Sequence, residues 1–165
     1  MKSIALHLRK ECKNQKVLCT NFLSSSVFIV LFLFMCFYAT AQTSWTVTST
    51  ADTGVGTLRT LIVDSASAGD TIRFSSVIDG DSIVLTSGEI VIGKSIHIIG
   101  NNALQTIIDG NANDRIFSIS SGTVVVIKGV SLQNGWQSSF NGGGIYNNGE
   151  LTLYGCEVRR CDATF

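Results

Sequence analysis

The sequence contains no proline and only two histidines among its 165 residues. Helical periodicity is almost as scarce, which excludes a predominantly helical fold. Most of the chain is predicted to form short strands. One histidine, His7, lies near the amino terminus, so His97 stands alone in the rest of the chain. A shared histidine metal site is therefore excluded. Because His97 lies between Ile96 and Ile98 in an alternating segment, we expect its side chain to face solvent.

Cysteine and basic residues are sparse once the first 41 residues are set aside. Only Cys156 and Cys161 then remain of five cysteines, and one pair is no disulfide framework. Whether the two are bridged stays open at this point. Residues 42–165 hold seven basic and eleven acidic side chains without a basic cluster. Nucleic acid is therefore not expected as a partner.

The first 41 residues have the pattern of a secretory signal peptide. Five basic residues and one acid precede an apolar run, "VFIVLFLFMCFY" at residues 27–38, and the small-residue site Ala39–Ala41 follows. A signal anchor is the alternative, but the run is shorter than the roughly 20 residues that a membrane-spanning helix needs. We predict cleavage after Ala41, a secreted or outer cell-surface location, and no membrane span after cleavage.

Short alternating segments, separated by Gly, Asn, Asp and Ser, fill the chain after residue 70. Three segments share a pattern of two inward residues, a break and two more inward residues: "GEIVIGKSIHIIGN", "TVVVIKGVSLQNG" and "GELTLYGCEVRRC". Val125 and Leu151 are 26 positions apart in this alignment. The earlier interval, from Ile98 to Leu132, is 34 positions, which we interpret as an insertion in the first coil.

The break in alternation within the last segment is interpreted as a corner between two sheets. In this alignment Cys156 occupies the position of Ile96 and Val130, so we expect it to be a small core residue. A period in the twenties to thirties, built only of short strands, predicts a β-solenoid in which like residues stack in successive coils. A single coil buries too little apolar surface to fold alone, so stability must come from stacking.

The chain before the strands predicts a cap for this solenoid. A strand at Trp45–Thr50 is followed by a Gly-rich turn and a candidate helix at Thr57–Ala66. We therefore predict three regions: a signal peptide at 1–41, an N-terminal cap at 42–75, and about three coils at 76–165. The last coil stops part way round. We expect a truncated, longer solenoid whose exposed terminal coil self-associates; a short protein that pairs end to end is the alternative.

Two segments resemble a known family. "VTSTADTGVGTLRTLIVDSASAGDTIRF" at 47–74, with its Gly56–Arg59 turn, resembles the N-terminal cap of secreted bacterial right-handed parallel β-helix proteins. "NGGGIYNNGELTL" at 141–153 resembles the repeat of the polymorphic outer membrane protein and adhesin type. The family's Asn after the second strand is present as Asn134, whereas Arg160 or Cys161 takes its place in the last coil. The resemblance implies a right-handed solenoid exported to the cell surface or medium.

Candidate ligand sites are few. "DGNAND" at 109–114 resembles half a calcium loop, but its sixth and twelfth positions do not match, so an Asx-rich corner is the alternative. Aromatic side chains in or beside the excursion 133–144 are candidates to contact a carbohydrate or protein partner, or to cover the end of the core. The calcium candidates are Asp109, Asn111, Asn113 and Asp114, and the aromatic candidates are Trp136, Phe140 and Tyr146.

No pair of acids indicates catalysis. Glu89 and Glu150 lie beside strand starts at positions that the alignment treats as equivalent, and both are expected to face solvent. No catalytic or cofactor-binding residue is predicted, apart from the weak calcium candidate. We expect a non-enzymatic, adhesin-like scaffold; the alternatives are the front end of a polysaccharide-acting lyase or glycosidase, whose active site lies outside this chain, and a nonfunctional gene remnant.

Overall fold

The computed structural model describes residues 41–138 and 141–164, and the fold is that of the unit Gln42–Phe165. The predicted signal peptide and Phe140 therefore lie outside the described residues, apart from Ala41. One short helix, α1 (Leu58–Thr60), continues as a π-helical segment, Leu61–Ser65, and a 3-10 turn covers Ser76–Ile78. The described strands are β1 (Ser44–Val47), β2 (Thr71–Phe74), β3 (Ser82–Val84), β4 (Ile90–Ile92), β5 (Ile96–Ile99), β6 (Ile107–Asp109), β7 (Phe117–Ile119), β8 (Val124–Lys128), β9 (Ser131–Gln133), β10 (Trp136–Gln137), β11 (Ile145–Asn147), β12 (Glu150–Tyr154), β13 (Glu157–Arg159) and β14 (Asp162–Ala163).

The strands form stacked parallel sheets, which confirms the predicted all-β solenoid. Sheet A has the order β1-β2-β5-β8-β12, sheet B has β3-β6-β9-β13, and sheet C has β4-β7-β11. A further pair joins β10 to β14, and every strand pairing is parallel. Since the chain visits the sheets in turn, the five strands of sheet A correspond to about five turns. Three of these strands lie within 76–165, and β1 and β2 lie within the segment predicted as the cap.

The predicted stacking of the last two turns is confirmed. Leu151 of β12 pairs in register with Val125 of β8, and Leu153 pairs with Ile127. The break in alternation is the corner between sheet A and sheet B. Gly155 occupies this corner with a φ of 60°, a left-handed conformation that glycine adopts without steric cost.

The predicted alignment of the first coil is wrong. Ile96 pairs with Val125, and Ile98 pairs with Ile127, whereas the sequence pattern aligned them with Val130 and Leu132. The cause is that the corner between sheets C and A has the same pattern as the corner between sheets A and B. No long insertion separates these turns, and Cys156 stacks on Val130 but not on Ile96.

The candidate helix at Thr57–Ala66 forms a helical segment, although its hydrogen bonding is mostly π-helical. Leu58, Leu61, Ile62 and Ala66 are buried and join the same apolar cluster as the strand residues. Thr57 caps α1, because its side chain accepts from the amide of Thr60. The helical segment thus contributes to one continuous core.

The core consists of inward aliphatic side chains stacked from turn to turn. Val125, Ile127 and Leu132 are fully buried, whereas the residues stacked on the last two, Leu153 and Val158, are 42% and 49% exposed. The terminal turn is therefore covered on one side only within the described residues. No helix in the described part of the chain is both long and apolar enough to span a membrane.

Candidate functional site

A groove of about 650 Å³ runs between the helical segment and β4. Sequence reasoning did not predict it, because it brings together two segments about 30 positions apart. Its walls combine cations, carboxylates and the exposed side chains of Val63 and Val91. The lining residues are Thr53, Arg59, Thr60, Val63, Asp64, Glu89, Val91, Gly93 and Lys94.

The guanidinium of Arg59 is held by the fold. Its Nε donates to Asp52 Oδ1 at 2.8 Å, and its two terminal nitrogens donate to the carbonyls of Glu89 and Gly88 at 2.8 and 2.6 Å. Asp52 also accepts from the amide of Ser87 at 2.7 Å. We call Arg59, Asp52 and the backbone of residues 86–89 the Arg59 latch, since they tie α1 to the turn before β4.

The electrostatics of Asp52 agree with a structural role. Burial raises the pKa of its carboxyl, but hydrogen bonds from Arg59 and Ser87, together with the charge of Arg59, outweigh burial and lower it. Asp52 is therefore ionised and bonded at neutral pH. The Gly56–Arg59 turn, on which the family resemblance rests, thus supplies Thr57, which caps α1, and Arg59, which forms the latch.

Two further charged groups of the groove also bond to the protein. Lys94 Nζ donates to the carbonyls of Val63 and Ala66 at 3.1 and 2.7 Å, at the end of the helical segment. Glu89 Oε2 accepts from Arg115 Nη1 at 3.0 Å. Acid–base catalysis by two carboxylates needs both to face a substrate. With Glu89 engaged by Arg115, Asp64 is the one lining carboxylate with no ion pair among the described residues.

The predicted equivalence of Glu89 and Glu150 is wrong. Glu89 precedes β4 in sheet C, whereas Glu150 begins β12 in sheet A and pairs with Val124. The two carboxylates therefore lie on different sheets. This error has the same cause as the misaligned first coil.

The carboxylate of Asp109, first of the calcium candidates, is bonded to its own corner and to the next turn. Its Oδ1 accepts from the amide of Asn111 at 2.8 Å. Its Oδ2 accepts from the side-chain amides of Gln133 and Asn134, each at 2.8 Å. Asn111 has a φ of 58°, as Asx residues in corners often do.

Asp114 is engaged in a different set of bonds from Asp109. Its Oδ1 accepts from the amide of Arg115 at 2.8 Å and from Gln137 Nε2 at 3.4 Å, and its Oδ2 accepts from the amide of Glu89 at 3.3 Å. Asn113 is exposed. Among the described residues, no three His, Cys, Asp or Glu side chains group closely enough to hold a metal. These bonds are those of an Asx-rich corner, and calcium stays a prediction.

The two aromatic candidates among the described residues lie on different sheets. Trp136 is on β10 and 37% exposed. Tyr146 is half-buried on β11, and the guanidinium carbon of Arg115 lies 5.0 Å from its ring centroid, a cation–π distance. One face of Tyr146 is therefore occupied by a side chain that also pairs with Glu89.

Cys156 and Cys161 are free thiols and half-buried. Cys156, predicted as a small core residue from its alignment with Ile96 and Val130, is partly buried and packs against the core. Burial raises the pKa of the Cys161 thiol, which keeps it protonated at neutral pH. Cys161 lies beside Gly144, where a side chain would crowd its sulfur. Of Gly142–Gly144, only Gly142 has a positive φ, and the other two are needed for close approach.

A ladder of polar side chains follows the outer surface of sheet B. Asp109, Gln133 and Arg159 are in register on successive strands. Gln133 donates to Asp109, and its Oε1 accepts from Arg159 Nε at 2.9 Å. The ladder orients the amide of Gln133 and joins three turns. Neighbouring members of the ladder are 24 and 26 positions apart in the sequence, but this spacing indicates a ladder only when the strand register is known.

The outer surface of sheet A is a five-stranded surface with two rows of side chains in register across all five strands, and we call it the sheet A surface. His97 lies on it and is exposed, as predicted. The Arg73 row consists of Thr46, Arg73, Ile99, Lys128 and Tyr154. The Thr71 row consists of Ser44, Thr71, His97, Val126 and Thr152.

Comparison with known proteins gives no family assignment. No protein-family model, curated protein or solved structure matches the chain. Arguments about function therefore depend on the geometry of this chain.

Proposed function

We propose that the protein is an exported β-solenoid that acts as a non-enzymatic, adhesin-like interaction scaffold. The observation that carries this proposal is that the polar side chains fall into two groups. Those of the Arg59 latch, of Lys94 and Glu89, and of the Asp109 corner bond to backbone or to other side chains and join turns. The sheet A surface, in contrast, presents two continuous rows to solvent.

A scaffold of this kind requires rigidity more than a reactive centre. Stacked turns share one apolar core, and the Arg59 latch and the sheet B ladder add polar links between distant segments. Partners would bind to outward rows at fixed spacing, because neighbouring strands are about 4.8 Å apart. The signal-peptide pattern supports export. An exposed terminal turn adds a second proposed partner, a further copy of the chain.

The alternative function is action on polysaccharides as part of a larger enzyme. The groove supports it to the extent that two carboxylates, Asp64 and Glu89, line one depression. The ion pair of Glu89 with Arg115 weighs against it.

The test is expression of the full chain in a bacterial host that secretes proteins. We expect processing after Ala41, read by amino-terminal sequencing of the exported product. We also expect binding to immobilised extracellular polysaccharides or matrix proteins without new reducing ends. Retention of the uncleaved chain in the cytoplasm, absence of binding to every immobilised surface, or shortening of a polysaccharide would each overturn the proposal.

A further inference from the structure

The cationic side chains of the described residues fall into two groups. Arg59, Lys94, Arg115 and Arg159 donate to carboxylates, carbonyls or an amide oxygen. The side chains of Arg73, Lys128 and Arg160 make no hydrogen bond or ion pair in the part of the chain that the structure describes. All three are exposed.

Two of these three cations lie in one row of the sheet A surface. Arg73 of β2 is in register with Ile99 of β5, and Ile99 is in register with Lys128 of β8. The two cations are therefore two strand spacings apart, roughly 9.5 Å along the solenoid axis. No acidic residue occurs in the Arg73 row or the Thr71 row. Counted along the strands, the acid closest to these two rows is Glu150, which pairs with Val124 in a third row.

The charge of this surface is opposite in sign to the net charge of residues 42–165. Residues 42–165 have eleven acidic and seven basic side chains, yet the Arg73 row contains two cations and neither of the two rows contains an acid. A surface of one sign on a chain of the opposite net charge attracts ligands that the rest of the molecule repels. The complementary ligand is an anion extended along the solenoid axis.

The neighbouring side chains narrow the class of anion. Thr46, Ser44, Thr71 and Thr152 place hydroxyl groups beside the cations, and hydroxyl groups both donate to and accept from sugar hydroxyls. Single-stranded nucleic acid requires several aromatic rings on which bases stack, and Tyr154 is the one aromatic in the two rows. Two cations also fall short of the roughly 6–10 phosphate contacts of duplex binders.

We propose that the sheet A surface binds an extended acidic polysaccharide, whose chain crosses the strands and places carboxylates against Arg73 and Lys128. The guanidinium of Arg73 offers a planar pair of donors that fits a carboxylate, and Lys128 adds a point charge. This inference rests on the proposed function and names the partner of the scaffold. It adds a ligand class and two specific residues that the scaffold proposal does not require.

The test measures binding of the purified full chain to alginate, a carboxylate-bearing polysaccharide, with neutral dextran as the control polymer. We expect alginate to bind, dextran not to bind, and added salt to weaken binding. In the double variant R73Q/K128Q the affinity should fall by about tenfold or more, since two charge-assisted contacts are removed. R160Q, which removes an equally unpaired cation outside sheet A, should stay within about twofold.

A variant that is expected to bind alginate more tightly provides a second test. Ile99 lies between the two cations in the same row, so Ile99→Lys should tighten alginate binding by several-fold through a third cation. Circular dichroism of each variant checks that the fold is retained. Equal losses in R160Q and R73Q/K128Q, or an unchanged affinity in the double variant, would overturn the inference.

Further measurements distinguish failure of this inference from failure of the proposed function. A single-stranded oligonucleotide that competes with alginate at equal charge would overturn the polysaccharide assignment. If the exported chain binds a neutral polysaccharide or a protein, and R73Q/K128Q binds it equally, the scaffold proposal stands and the sheet A assignment fails. If alginate binds through Arg73 and Lys128 and is also shortened, the sheet A assignment stands and the non-enzymatic proposal fails.

Discussion

Single buried carboxylates connect distant parts of the solenoid at the residue scale. Asp52 joins Arg59 to the turn before β4, and Asp70 joins β1 to the turn before β2. Asp70 is 3% exposed, and its two oxygens accept from the amides of Thr43 and Ser67 and from Trp45 Nε1. Each carboxylate thus adds side-chain links to those that the backbone makes.

Removal of the Arg59 side chain should destabilise the protein strongly. Arg59→Met removes the ion-pair partner of the buried Asp52 and the donors to two carbonyls, so we expect the free energy of unfolding to fall by about 3 kcal/mol. Urea denaturation followed by circular dichroism measures it. Arg73→Met, at an exposed and unpaired position, is the matched control and should change stability by less than about 0.5 kcal/mol. Similar losses in the two variants would show that the latch does not stabilise the fold.

Stability should fall in acid through Asp70. Backbone hydrogen bonds from Ser67 and Thr43, with the bond from Trp45, lower the pKa of its carboxyl below its usual value. A group with a lowered folded-state pKa stabilises the fold above its unfolded pKa, about 3.9, and this contribution is lost as pH falls towards the folded value. Urea denaturation at several pH values should therefore show stability dropping below about pH 4. In Asp70→Asn this acid slope should be shallower and neutral stability lower; an unchanged slope would contradict the assignment.

Corners decide the path of the chain at the scale of elements. The alternation of apolar residues predicted short strands through most of the chain after residue 70. It missed β10 and β14, because two-residue strands are too short to show alternation. It also confused two kinds of corner, since each presents the same break between inward pairs. Sequence pattern therefore predicted the elements better than their order around a turn.

The candidate sites were less predictable than the fold, for a related reason. The groove and the Arg59 latch join positions about 30 residues apart, and a spacing of that size has no local signature. Arg73 and Lys128 were scattered charges in the sequence, and only the register of sheet A places them in one row. Trp136 and Tyr146 were placed in or beside one excursion by the sequence, yet they lie on different sheets in the structure.

A corner glycine should be intolerant of a side chain even where its φ is ordinary. A Cβ on Gly100 would lie 2.9 Å from Thr106 Cβ and 2.9 Å from Val130 Cγ2, inside van der Waals distance. Gly100→Ala should therefore lower the free energy of unfolding by about 1–3 kcal/mol. Gly93→Ala is the control, because its nearest neighbour would be Ser120 Oγ at 3.9 Å. Thermal denaturation of both variants measures the difference, and equal melting temperatures would contradict this account of the corner.

The two ends of the stack differ at the scale of the whole molecule. At the start, the helical segment supplies Leu58, Leu61 and Ile62 to the core. In the terminal turn, β12 and β13 pair with β8 and β9 on one side, and their other edges have no strand partner among the described residues. Unpaired strand edges beside exposed apolar side chains favour pairing with a further chain.

The terminal turn should therefore drive self-association of the full chain. Leu153 and Val158 expose 42% and 49% of their surface on this turn, so we expect the sedimentation coefficient to rise with protein concentration. Leu153→Lys combined with Val158→Lys should reduce this rise, because charges on an unpaired edge oppose strand pairing. Val55→Lys is the control: Val55 is 97% exposed in the turn before α1, away from β12 and β13. Sedimentation velocity distinguishes the cases, and a monomer at every concentration, or an equal effect of Val55→Lys, would refute the prediction.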